Sequence, residues 1–187
     1  MLPLVWAMLA FVGAQGPGQT VTYSLNTHTF SFELPPDYRL QGEASPMPGL
    51  KTFAFTSEPR PDGSRTLIQV SLVDLTQIGS VQRPTLDHFT QSMVDGVRRR
   101  RSQWKEAESL VDVHGIRARR VEWSGSNEPS PERPTSQAPS MMRGVMIVGI
   151  EGDLAFALNT QDAEPFAAAT LSISEHALMT FTIVRPK

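Results

Sequence analysis

The sequence predicts an α+β fold in which one antiparallel β-sheet is flanked by two long helices. Short runs that alternate apolar and polar residues, separated by turn residues, are typical of antiparallel hairpins. Two other segments repeat apolar residues at +3, +7 and +11, which is the spacing of an amphipathic helix. The predicted order is four strands, a helix, four strands and a second helix, followed by a short extended piece.

The four strands before the first helix form two pairs. Alternating residues on either side of Asn26–Thr27–His28 predict a hairpin, and Pro35–Pro36 end it because proline cannot continue a strand ladder. Residues 40–49 are polar and proline-rich, so we expect a loop there. Leu50–Ser57 and Thr66–Leu75 predict the second pair, joined through a Pro-Asp-Gly turn.

The first helix is predicted over Thr85–Trp104. Thr85 follows a proline and is a favourable N-cap residue. Trp104 returns to the same face at +18, in line with the apolar stripe. The stripe consists of Leu86, Phe89, Met93 and Val97.

Four further strands and the second helix follow. A two-residue connection, His114–Gly115, predicts a hairpin. Residues 125–140 are rich in proline and serine and predict a disordered insertion within a single domain of residues 20–187. Asp162 is the predicted cap of the second helix. The strands are Leu110–Val113, Ile116–Ser124, Met141–Ile150 and Leu154–Leu158, the apolar stripe of the second helix is Phe166, Ala169, Ile173 and Ala177, and the final extended piece is Phe181–Val184.

The first fourteen residues predict export. Met1–Ala14 carry no charged side chain and end in Val12–Gly13–Ala14, with small residues at the −3 and −1 positions that a signal peptidase requires. The run is shorter than the roughly 20 apolar residues that span a bilayer. A buried N-terminal strand or helix is the alternative, but Gln15–Gln19 breaks any continuing element. We expect a signal peptide cleaved after Ala14 and a periplasmic or extracellular protein, in a bacterial envelope.

Composition excludes several classes of protein. The chain has no cysteine, which excludes disulfides, cysteine metal sites, a cysteine nucleophile and a bacterial lipid anchor. We therefore expect a soluble mature protein with no stable membrane insertion. Its net charge of −2 argues against nucleic acid as a partner, because that affinity comes largely from neutralised phosphates.

Three segments resemble the PsbP-like superfamily. Phe30–Tyr38 is similar to that family's opening FSF-x-x-P-x-x-W, with Tyr38 where tryptophan is usual. His114–Ala118 is similar to the family's Gly-x-x-Ala hairpin, and a C-terminal helix runs into a short strand that contains phenylalanine. The resemblance implies an α/β/α sandwich. It implies no single activity, because members mostly bind or help assemble other proteins and share no catalytic centre, so no functional residue transfers.

The sequence shows no catalytic or metal-binding motif. It has no Gly-x-Ser-x-Gly elbow, and no spacing brings two carboxylates onto one pocket wall. Its histidines stand singly, without the spacing that places two imidazoles on one face; they are His28, His88, His114 and His176. We expect neither an enzyme nor a cofactor or metal site. An enzyme whose site is formed by long-range contacts remains an alternative.

An arginine cluster is the candidate binding site. Residues 97–120 hold eight basic side chains and three acidic ones. The planar guanidinium suits carboxylates and phosphates, so the cluster could dock a small anion or an acidic protein partner. A solvated helix end is the alternative. The candidate residues are Arg98, Arg99, Arg101, Arg117, Arg119 and Trp123.

These observations predict an exported, soluble, non-catalytic domain that binds a partner or assists assembly in the cell envelope. The alternative is a carrier of a small ligand or anion that uses a pocket between sheet and helix. A flat surface of arginine and aromatic residues would favour the first, and an enclosed cavity would favour the second.

Overall fold

A computed structural model describes residues 18–26, 28–78, 83–127 and 140–184. The predicted signal peptide, residues 1–14, and most of the predicted insertion, residues 128–139, lie outside this part of the chain. The elements in order are β1 Gln19–Leu25, β2 His28–Leu34, β3 Tyr38–Met47, β4 Leu50–Ser57, β5 Leu67–Asp74, α1 Leu86–Arg98, β6 Arg101–Val113, β7 Ile116–Asn127, β8 Met141–Glu151, β9 Leu154–Ala163, α2 Ala167–Met179 and β10 Thr182–Val184.

The strands form two antiparallel sheets, whereas the sequence predicted one. A small sheet has the order β1-β2-β10, and a seven-stranded sheet has the order β3-β4-β5-β9-β8-β7-β6. Pro35 and Pro36 separate β2 from β3, so the first hairpin cannot continue into the large sheet. The C-terminal piece, predicted as extended, pairs with β2 through Ile183 opposite Phe30.

The large sheet separates two apolar clusters. The larger cluster lies between this sheet, α2 and the small sheet, and holds rings such as Phe53, Phe156 and Phe181. The smaller cluster lies under α1 on the opposite face and includes Phe89 and Val121. The α+β architecture is therefore as predicted. Each helix has only 13 residues, however, so sheet dominates the layers.

The first helix ends earlier than predicted. Thr85 is the N-cap, as expected, and its side chain accepts a hydrogen bond from the His88 N–H at 3.2 Å. The helix ends at Arg98, and Arg101 and Trp104 belong to β6. Long-range pairing with β7 along almost all of β6 overrides the helical spacing. Trp104 still packs against the cluster under α1, but it reaches that cluster from a strand.

The second helix also starts later and buries a different face. Asp162 lies in β9, and Phe166 is the N-cap residue without a side-chain cap bond. Ile173, predicted on the apolar stripe, is 39% exposed. Ser174 is buried instead and accepts a hydrogen bond from Thr160 at 2.7 Å. The buried residues of α2 are Ala167, Leu171, Ser174, Ala177 and Leu178.

Two segments predicted as loops are strands. Most of residues 40–49 belongs to β3, which pairs with β4 through two irregularities and is exposed from Arg39 to Met47. Gly125–Asn127, the start of the predicted insertion, complete β7 between β6 and β8. Both segments lack large apolar residues that alternate, so their sequence carries no strand signal. Among the described residues, no helix has the length and apolar character needed to cross a membrane.

Candidate functional site

The structure divides the predicted arginine site between the two ends of α1. Arg119 lies at the N-terminal end, where its Nη2 is 2.7 Å from an oxygen of Asp87. Arg117 is exposed two residues earlier on β7. At the C-terminal end lie Arg98, Arg99, Arg101 and Trp123. A helix of 13 residues is about 20 Å long, so the predicted residues do not form one patch.

The group at the C-terminal end is organised by stacked rings. Trp104 of β6 and Trp123 of β7 stack with centroids 5.2 Å apart and planes at 14°. The Arg98 guanidinium lies 5.7 Å from the Trp104 centroid, and that of Arg101 lies 4.5 Å from the Trp123 centroid. Trp123 is buried because Gly144 of β8 leaves room for its ring. Each tryptophan ring thus has one guanidinium over it, which restricts where that arginine side chain can lie.

Arg98 and Arg101 differ in their partners. Arg98 pairs with Asp95 at 3.5 Å and with Glu106 at 2.6 Å, and the hydrogen bond to Glu106 raises the pKa of Arg98. Arg101 has no carboxylate partner among the described residues. Its Nη2 donates to Gln161 Oε1 at 2.8 Å, and its Nε has no partner. Burial and the nearby Arg100 charge lower the pKa of Arg101, so its cation is incompletely stabilised.

Arg101 lines a cleft of about 370 Å³ between α1 and the large sheet. α1 packs mainly on β6, β7 and β8, and the cleft lies between its C-terminal half and the polar side chains of β5 and β9. Gly96 of α1 also lines it, and a Cβ at that position would meet no atom within 4 Å. Polar side chains of the wall include Ser92, Arg100, Gln69, Ser71, Asn159 and Gln161.

Asn159 is a second under-satisfied group in the cleft. It lies on β9 between Met146 of β8 and Gln69 of β5, and is 7% exposed. Its Oδ1 has no hydrogen-bond partner in the described part of the chain. A buried amide oxygen without a partner costs about 1–3 kcal/mol. Because this oxygen is buried, a ligand can donate to it only after the Asn159 side chain turns toward the cleft.

The other polar cluster, on the opposite face, is complete. The Asp162 carboxylate is fully buried and accepts hydrogen bonds from both Nη atoms of Arg60, at 3.0 and 2.5 Å. The hydroxyls of Thr66 and Thr170 each donate to it at 2.7 Å. Burial raises the pKa of the neighbouring Tyr38 to about 12, so that phenol stays neutral. Because its carboxylate is saturated, we assign this cluster to stability.

Sequence reasoning missed the residues that complete the cleft. Asn159 and Gln161 come from β9, about 60 residues after Arg101 in the chain, and no local motif connects them. The relevant sequence signal was the alternation on β5, where the polar residues Gln69 and Ser71 alternate with buried aliphatic residues. In the described part of the chain, no group of three or more metal-ligating side chains could hold a metal ion.

Gly96 gives a direct stability test of this geometry. Replacing Gly96 by alanine should raise the free energy of unfolding by about 0.5–1 kcal/mol, because alanine restricts the unfolded chain and its methyl group meets open space. Urea unfolding measures the change. A loss of stability would show that the helix is closer to the sheet at Gly96 than this geometry allows.

Comparisons with known proteins agree on the fold. No protein-family model and no curated protein sequence matches the chain. LpqN of Mycobacterium tuberculosis, a protein involved in cell envelope biogenesis, is 13% identical with a TM-score of 0.57, over 89% of this chain and 91% of LpqN. The cyanobacterial PsbP of Synechocystis is 14% identical with a TM-score of 0.54, over 95% of this chain and 98% of that protein.

A third solved structure extends this comparison. PA94 of Pseudomonas aeruginosa, a protein of unknown function described as a putative regulator, is 11% identical with a TM-score of 0.52, over 91% of this chain and all 100% of PA94. At these identities the similarity concerns the fold alone. The chain therefore has a PsbP-like fold, which confirms the resemblance found in the sequence.

Proposed function

We propose that this PsbP-like chain is an exported, non-catalytic binding domain of the cell envelope and that the cleft beside α1 is its binding site. The observation that carries the proposal is Arg101. Its guanidinium is half-buried, stacked on Trp123, and without a carboxylate partner among the described residues. A charge held in this way is suited to an anionic group that comes from outside the chain.

Three further observations support the proposal. The apolar leader, Met1–Ala14, supports export. The similarity to LpqN, which is involved in cell envelope biogenesis, supports the envelope as the place of action. The described lining of the cleft contains no Asp, Glu or His, so it offers no general acid or base, which supports binding without catalysis.

The anionic group can belong to an acidic protein partner, as in an assembly-accessory domain, or to a small molecule.

One observation favours a second candidate function, a small-ligand or anion carrier. The cleft volume of about 370 Å³ is in the range of pockets that hold small molecules, and its walls come from both helix and sheet. The exposed arginines Arg99 and Arg117 lie outside the cleft and do not contribute to this site.

Affinity capture from envelope extracts tests the proposal. The wild-type protein and the Arg101→Gln and Arg99→Gln variants are compared, and retained proteins and small molecules are identified by mass spectrometry. We expect the Arg101→Gln variant to retain at least tenfold less of one protein or small molecule that the wild type captures. Arg99→Gln is the matched control, because Arg99 is exposed at the helix end and does not line the cleft.

Equal retention by Arg101→Gln and the wild type would refute the cleft as the binding site. A loss with Arg99→Gln alone would assign binding to the exposed helix end. A protein as the lost species supports the binding or assembly-accessory role, and a small molecule supports the carrier. Circular dichroism establishes that each variant is folded.

A further inference from the structure

Arg101 is exceptional among the arginines of the described residues. Six of them are partly buried, and the other five each form an ion pair with a carboxylate. Partly buried cations are normally paired, because removal from water without a partner costs free energy. The five paired arginines are Arg60, Arg98, Arg119, Arg120 and Arg143.

We infer that the cleft binds a small hydroxylated organic acid, whose carboxylate pairs with Arg101 and whose hydroxyl groups contact the amide and hydroxyl side chains of β5 and β9. This inference rests on the proposed function and specifies its ligand. It depends on three features of the cleft: the Arg101 guanidinium that lies over Trp123, the polar floor, and the position beside the C-terminal half of α1.

The orientation of Arg101 suits a carboxylate. The Trp123 ring lies against the guanidinium, with its centroid 4.5 Å from Cζ, and Gln161 Oε1 accepts a hydrogen bond from one Nη atom at 2.8 Å. The other Nη has only the Val97 carbonyl at 3.5 Å, a long contact that a carboxylate oxygen can replace. A planar fork held in one orientation loses little entropy when it binds a planar carboxylate.

The position beside α1 disfavours a phosphate dianion. Gly96, Val97 and Arg100 of the cleft lie in or just after the last turn of α1, where the helix dipole is negative. Sites for phosphate commonly use the opposite end of a helix, where free N–H groups point at the ligand. The negative end of the dipole repels a dianion more strongly than a monoanion. Arg101 is the one cation of the described lining that a ring and a hydrogen bond hold in place, whereas Arg100 is exposed, so the arrangement matches a single negative charge.

The polar side chains at the floor of the cleft favour a ligand that carries several hydroxyl groups beside its carboxylate. Gln69, Ser71 and Asn159 present amide and hydroxyl groups, and the Asn159 Oδ1 lacks a donor among the described residues. Hydroxyl groups both donate and accept, so a polyhydroxylated body can satisfy this surface. A cleft of about 370 Å³ is large enough for an acid the size of a single sugar ring.

Isothermal titration calorimetry with matched probes tests the inference. The probes are D-glucuronate, D-glucuronamide, which replaces only the carboxylate, and glucose 6-phosphate. We expect glucuronate to bind at least tenfold more tightly than either of the other two. Arg101→Gln should weaken glucuronate binding at least tenfold, and Arg99→Gln should leave it unchanged.

Gly96→Leu provides a second variant that does not touch the tryptophan stack. Its side chain enters the cleft, so it should abolish glucuronate binding even if Arg101→Gln fails to fold. Equal binding of glucuronate and glucuronamide, or no binding of glucuronate, would overturn the inference. If glucose 6-phosphate binds more tightly than glucuronate, the group that Arg101 recognises is a phosphate and not a carboxylate.

Different results would contradict the binding site and the class of its ligand. If envelope capture depends on Arg101 but glucuronate does not bind, the ligand class is wrong and the binding site stands. If capture of a protein depends on Arg101 and glucuronate does not bind, the carboxylate comes from an acidic side chain of that protein. If neither capture nor titration depends on Arg101, the proposed function fails as well.

Discussion

Replacement of Asp162 by alanine should lower the free energy of unfolding by about 3–5 kcal/mol, because it leaves the largely buried guanidinium of Arg60 without its partner. The carboxylate also accepts from the Thr66 and Thr170 hydroxyls and from the Ala163 N–H, so together with both Nη atoms of Arg60 five donor groups lose their acceptor at once. These bonds connect the segment before β5 to the end of β9 and the first turns of α2. Urea unfolding followed by circular dichroism measures the loss.

An exposed ion pair gives the matched control. Arg83 and Asp153 also form an ion pair, but their side chains are 66% and 41% exposed. Surface pairs contribute about 0–1 kcal/mol, so Asp153→Ala should have little effect. A similar loss for the two variants would contradict the distinction between the buried network and the surface pair. A neutral or stabilising Arg60→Met, Asp162→Leu double variant would show that the cost in Asp162→Ala comes from the unpaired cation.

The pH dependence of Asp162→Ala follows from the same contacts. Burial raises the pKa of the Asp162 carboxyl, but the hydrogen bonds from Arg60, Thr170 and Thr66 together lower it below its ordinary value. A carboxyl with a lowered folded-state pKa stabilises the fold above its unfolded-state pKa of about 3.9. That contribution is lost as the pH falls through the folded-state pKa. The stability difference between wild type and Asp162→Ala should therefore be constant above about pH 5 and shrink below pH 4.

Gly144→Ala should destabilise the fold by about 3 kcal/mol, at the upper end of the usual cost of overpacking. A Cβ at Gly144 would overlap Cζ2 of Trp123 and would lie 2.6 Å from the carbonyl oxygen of Thr160. The oxygen belongs to the backbone of a central strand and cannot move aside. The new methyl group can be accommodated only if the Trp123 indole shifts, and Arg101, which lies over that ring, must then shift as well.

Gly42→Ala is the control for Gly144→Ala. Gly42 lies in the edge strand β3, and a Cβ there would meet no atom within 4 Å. We expect its unfolding free energy to stay within about 0.5 kcal/mol of the wild type, the usual range for surface substitutions. Thermal unfolding measures stability, and tryptophan fluorescence reports the displacement of Trp123. Unchanged fluorescence and stability in Gly144→Ala would show that Trp123 does not cover Gly144.

Sequence patterns predicted the elements whose signals are local. The hairpin at His114–Gly115 is confirmed, with φ of +50° and +85° at these two residues. Thr85 is confirmed as the start of the first helix, and Ile68, Val70 and Leu72 of β5 are buried, as their alternation indicates. Turn chemistry, capping and alternation depend on neighbours in the sequence, which is why they could be found.

The elements that were missed depend on distant partners. Residues 101–109 carry no clear strand pattern, and they form a strand because β7 offers a free edge. Aspartate is a common helix-cap residue, but the carboxylate of Asp162 instead pairs in the core with Arg60, which lies 102 residues earlier in the chain. The candidate cleft was missed for the same reason, because only the pairing of β5 with β9 brings Gln69 beside Asn159.

The large sheet keeps the packing of α1 apart from that of α2. Because α1 covers the smaller of the two clusters, its release from the sheet would uncover few apolar residues while the ladders of the sheet and the other cluster stay intact. Regions with fewer buried contacts open at a lower free energy than the whole molecule. The cleft lies between α1 and the sheet, with Arg101 on the sheet side. A movement of α1 alone would therefore admit or release a bound molecule without unfolding the sheet.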